Sequence, residues 1–65
     1  MTFQKLFVMF SDMSYDDHFT FALVGGDFEE YENYDCIPYE MRDKEVRCFS
    51  SWDKGTPGHW LVVLR

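Results

Sequence analysis

Between Lys5 and Arg42 the chain has no lysine or arginine at all, although those 36 residues carry nine carboxylates. That absence removes nucleic acid as a direct ligand, because holding a phosphate backbone takes lysines and arginines. It disfavours an anionic membrane surface for the same reason. Cysteine is scarce too: only Cys36 and Cys48, with eleven residues between them. Two cysteines make no disulfide framework, and the start of the chain shows no charged n-region, apolar h-region or cleavage site. Both thiols are therefore expected reduced, half-buried and cytosolic. No long apolar run occurs; Leu6–Phe10 is far too short to cross a bilayer. The expected localisation is the cytoplasm.

What the chain does have is apolar and aromatic content. Of its 65 residues 46% are hydrophobic and 20% aromatic, which argues against disorder. A length of 65 allows one small domain near the lower limit for independent folding. Its thirteen aromatics exceed what one small core holds. The surplus favours either a homodimer or an aromatic contact surface.

Four segments read as strands. Thr2–Phe10 is dense in aromatic and β-branched residues and has apolar positions on both faces of an extended chain. His18–Val24 alternates, with Phe19, Phe21 and Leu23 inward and His18, Thr20 and Ala22 outward, and is expected to pair with Thr2–Phe10 as a hairpin across the polar turn SDMSYDD. Glu45–Trp52 puts Val46, Cys48 and Trp52 on one face, and after the turn DKGTPG at 53–58, His59–Leu64 is apolar enough to be central. Between the second and third strands, Asp27 and Glu30 have capping-box spacing, and Phe28, Tyr31 and Tyr34 recur every three residues. That predicts a short helix over Phe28–Asp35, stopped before Pro38, with Pro38–Lys44 as a loop. The expected fold is α+β: one domain spanning 1–65, a mostly antiparallel sheet of about four strands in the order ββαββ, and one short helix.

Signals of catalysis are thin. The chain contains no P-loop, GxGxxG or HExxH, and Gly25-Gly26 reads as a turn. Cys36, Cys48, His18 and His59 lack the close paired spacings of a zinc site, and Asp12, Asp16 and Asp17 lack the glycine and distal glutamate of a calcium loop. Cys48 or Cys36 with His59 is the one conceivable nucleophile–base pair, and no oxyanion hole or electropositive setting accompanies it. The expectation is no catalytic residue, no metal and no cofactor.

The signal that remains is charge. Residues 25–35, GGDFEEYENYD, hold five acids and three aromatics without a base. Solubility is normally achieved with mixed signs, and tyrosine among acids suits contact more than solvation. Asp27, Glu29, Glu30, Tyr31, Glu32, Tyr34 and Asp35 are thus the expected partner-binding residues. They would dock on a basic surface of a larger protein, which can itself be a nucleic-acid-binding protein. Two forms of this reading are open: an inhibitor or adaptor, and a nucleic-acid mimic whose carboxylates stand in for phosphates. A small Cys/His enzyme is the weaker third. In size and charge the chain is similar to the small acidic accessory proteins that phages and mobile elements encode against host machinery, a likeness that implies an inhibitor and rests on no motif.

Overall fold

Thr2 sets the start of the fold in the computed structural model, which describes residues 1–51 and 58–65. Its hydroxyl accepts a hydrogen bond from the Lys5 amide at 3.3 Å, capping helix α1 over Phe3–Met9. Thr2–Phe10 is therefore not the strand its composition suggests. The apolar residues Phe3, Leu6 and Phe7 recur at helical spacing, and as a helix all three enter the core while Val8 and Met9 face outward. Phe3 is wholly buried, its ring 5.4 Å from that of Phe19 and 4.9 Å from that of Phe21. Full burial of such a side chain stabilises by roughly 2–3 kcal/mol, more than the modest strand preference of Phe and Val opposes.

The second departure is at the acidic stretch. Strand β1 (His18–Ala22) runs into the turn at Val24–Gly26, where Gly26 takes φ +93° and the Leu23 amide donates to the Asp27 carbonyl at 2.7 Å. The chain then returns as β2 (Phe28–Tyr31), antiparallel to β1 with Phe19 opposite Tyr31 and Ala22 opposite Phe28. Gly25-Gly26 thus makes a hairpin turn, and the expected helix over Phe28–Asp35 gives way to a strand and a single 3₁₀ turn at Tyr34–Cys36. Pairing with β1 satisfies a ladder of backbone groups, whereas a capping box supplies only two. A four-residue helix, α2 (Tyr39–Arg42), occupies part of the expected Pro38–Lys44 loop.

Strands β3 (Val46–Ser51) and β4 (His59–Leu64) complete one sheet in the order β2-β1-β4-β3. The expected central position of β4 holds. The domain is α+β with four strands, as the composition and alternation imply, but its element order is αββαββ rather than ββαββ. Two of the three strand pairings are antiparallel, while β1 and β4 run parallel, with Phe21 beside Val62. The hairpin expected between 2–10 and 18–24 is replaced by the one between β1 and β2.

One sheet face packs on α1: Phe19, Phe21, Val62 and Leu64 join Phe3, Leu6 and Phe7, with Met13, Tyr34, Ile37 and Met41 closing the core. Thr20, expected outward, is 1% exposed, its hydroxyl 3.0 Å from His59 Nε2. On β3 the alternation breaks. Val46 faces Leu64 and Cys48 faces Val63, so Arg47 is an extra residue and the strand bulges. The bulge lets Val46 and Phe49 pack on the core and leaves Cys48 exposed, against the expected Val46–Cys48 face. Cys36 is exposed as well, so neither thiol is half-buried. Trp52 and most of the expected turn at 53–58 lie outside the described residues.

Candidate protein-docking edge

Among the described residues β2 pairs only with β1, so the strand of the acidic stretch is a sheet edge. Strand geometry sends its side chains to alternate faces. Glu29 and Tyr31 lie on the face toward the helices, and Phe28 and Glu30 on the other. Asp27, Glu29, Glu30, Glu32 and Asp35 are all exposed, and among the described residues none of the five forms an ion pair. At about 3.3 Å per residue, Asp27 to Glu32 spans roughly 17 Å, about two Debye lengths at physiological salt. Their fields overlap at close range. Such a charged edge also blocks pairing with another strand.

Tyr31 is the aromatic of this edge. Its ring meets Phe21 edge-on at 5.6 Å, and its hydroxyl donates to Glu29 Oε2 at 2.6 Å. Burial of the ring end, then the bond to the Glu29 carboxylate, then the charges of Glu29 and Glu40 push the phenol up to about 12. Each of these disfavours a phenolate. Glu40, in α2, adds its negative charge to those acting on Tyr31. The sequence offered that signal, since Glu40 is the last of the nine acids in the base-free run.

Tyr34 does not belong to this surface. It is 6% exposed, stacked on Phe7, with its hydroxyl donating to Gln4 Oε1. The Arg42 guanidinium lies 4.3 Å above its ring and 4.8 Å from that of Tyr39, and donates to the Tyr34 carbonyl at 3.1 Å. The first base after the acidic run is thereby tied down. The exposed aromatics near the acids are instead Phe28, 60% exposed, and Tyr39, 80% exposed.

The other candidate constellations separate. Cys48 is opposite Val63, four residues along β4 from His59, a span of roughly 13 Å. The expected nucleophile–base pairing of these two has no geometric basis. His18 and His59 are in-register neighbours on β1 and β4, with ring centroids 4.4 Å apart, and neither cysteine joins them. Among the described residues no three or more His, Cys, Asp or Glu side chains gather as metal ligands. Asp17 is engaged elsewhere, accepting from the Ser14 amide and hydroxyl and from Trp60 Nε1 at 2.8 Å. Among the described residues no helix is long and apolar enough to cross a membrane. Comparison of the chain with protein-family models, with curated proteins and with solved structures finds no match.

Proposed function

We propose that this protein is a small acidic binding module that docks the β2 edge on a basic surface of a larger protein, acting as an inhibitor of the accessory type encoded by phages and mobile elements. The observation that carries this reading is the run of exposed carboxylates Asp27, Glu29, Glu30, Glu32 and Asp35 without a basic partner among the described residues. Beyond the solubility that net charge confers, five unpaired like charges in β2 and the segments flanking it repel one another. A basic partner relieves that repulsion. The carboxylates steer association and fix register, and Tyr31, Phe28 and Tyr39 supply apolar contact area.

The test is charge reversal. Glu29, Glu30 and Glu32 changed together to Lys slow association with the partner that a tagged copy draws from a bacterial lysate at least ten-fold at low salt, and the residual binding loses its salt dependence. Binding unchanged in a folded triple variant overturns the reading.

The extended form of β2 favours a second version. Glu29 and Glu30 point to opposite faces, and positions sharing a face are about 6.6 Å apart, so each face offers its carboxylates at regular two-residue intervals. An edge so spaced resembles a short run of phosphates, and the target would then be a nucleic-acid-binding channel. Free DNA or RNA competes with this protein for its target in that case. An inhibitor docked elsewhere on the target is indifferent to it.

A further inference from the structure

The bulge in β3 has a second effect besides turning Cys48 outward. It releases Arg47 from the strand ladder beside the carboxyl ends of β1 and β4. There a cleft of about 430 Å³ opens, lined by Leu23, Val24, Arg47, Val63, Leu64 and Arg65. Its size falls in the range of small-ligand sites. Among the described residues neither the Arg47 nor the Arg65 guanidinium makes a hydrogen bond or an ion pair. Glu45, whose carboxyl is held below its ordinary value first by the N-terminal ammonium of Met1 at 2.6 Å, also feels the charge of Arg65, which leaves Arg47 as the guanidinium with no acid acting on it among the described residues. Bulges commonly re-aim a side chain at a working position.

The geometry points to this cleft as a binding site for a carboxylate carried on an aliphatic body. Two forked guanidiniums suit a planar carboxylate, which accepts two parallel hydrogen bonds from one fork. The walls are Leu23, Val24 and Val63, and each methylene buried against them raises affinity about four-fold. The chain carries a net charge of −6, which repels multiply charged anions more than a monoanion. Charge alone therefore does not hold an anion here, and an apolar body is needed as well. Free aliphatic acids and the terminal carboxylate of a peptide ending in an aliphatic residue share this chemistry. None of the site's side chains belongs to the β2 edge, so the proposal stands or falls apart from the docking function.

Titration of the intact protein with sodium octanoate, followed by amide and arginine Nε–H NMR shifts, tests it. The expected result is saturable shifts at Val24, Val63, Arg47 and Arg65, with octanoate binding at least ten-fold tighter than 1-octanol and acetate. Arg47→Gln combined with Arg65→Gln lowers octanoate affinity at least ten-fold while Val62, in the core, keeps its shift. Val24→Asp, which adds a fixed negative charge at an exposed wall position, weakens octanoate in the same way. A tripeptide ending in leucine is compared with its amide: binding of the acid form alone identifies a peptide terminus as a source, and binding of octanoate alone identifies a free acid. Equal binding of octanoate and octanol, an unaffected double variant, or binding of neither acid overturns the proposal.

Discussion

The ring of Tyr34 stacks on that of Phe7, centroids 4.0 Å apart and planes 25° from parallel. Tyr34 thereby links the 3₁₀ turn after the acidic edge to α1, and it reaches Gln4 on that helix through its hydroxyl. Replacing it with Ala removes a buried aromatic and is expected to lower stability by about 3–5 kcal/mol. Tyr34→Phe keeps the ring, loses one hydrogen bond, and lowers stability by about 1 kcal/mol. Urea denaturation of both variants measures this. If Tyr34→Ala unfolds at the wild-type midpoint, the residue belongs to the surface after all.

A phenol pushed up to about 12 makes Tyr31 a proton-linked contributor to the fold. Its protonated form is the one the native state favours, so the contribution is complete below pH 10, the phenol's ordinary value. It declines as pH rises from there towards 12, because the unfolded chain ionises first. The difference in tyrosinate absorbance between wild type and Tyr31→Phe isolates this group and is expected to show a midpoint well above 10. Glu29→Gln removes both the charged acceptor and its field, and moves the midpoint down. An unmoved midpoint in Glu29→Gln would show that Glu29 plays no part and that burial and the Glu40 charge hold the phenol up.

Both thiols are exposed, and each is expected to react with a small disulfide reagent in the native protein, without denaturant. Cys36→Ser and Cys48→Ser each change stability by no more than about 0.5 kcal/mol, as exposed positions do. A Cys48 that reacts only after unfolding would place its strand face the other way, and a Cys36 that does so would mean that the 3₁₀ turn buries its last residue.

Strands β1, β3 and β4 lay open to sequence reading, although the bulge at Arg47 hid which face of β3 is buried. β1 shows Phe19 and Phe21 on one side, and β4 is apolar from Trp60 to Leu64. α1 was concealed by composition. Its phenylalanines suit a strand, and the helical spacing of Phe3, Leu6 and Phe7 with Thr2 as cap is visible only if period 3.6 is weighed above propensity. β2 is four residues long, too short for any periodicity to decide, and its state is set by pairing with β1. Of the acidic site, the carboxylates were legible because exposure follows from charge. The placement of Tyr34 was not, since its three-residue spacing from Tyr31 holds for a helix and fails for a strand followed by a turn.

The β3 bulge gives the sharpest structural expectation, because the strand's pattern and its pairing disagree there. Val46 is opposite Leu64 and Cys48 is opposite Val63, so Arg47 has no position of its own in the ladder. Deleting Arg47 brings Val46 and Cys48 into consecutive register with the same two partners. Val46 then still faces the core, Cys48 still faces outward, and Phe49 still packs beside Phe10, whose ring it meets edge-on at 5.1 Å. Removal of one exposed residue from an edge strand thus heals a ladder rather than shifting it. The deletion variant is expected to fold within about 1 kcal/mol of wild type, with Cys48 as reactive as before. Replacing Arg47 by Ala keeps the bulge and serves as the control for loss of the side chain. Urea unfolding and native-state thiol labelling of the two variants decide the matter: loss of folding, or a Cys48 that becomes protected only in the deletion, would mean that β3 slides by one residue and that the bulge is required for the fold.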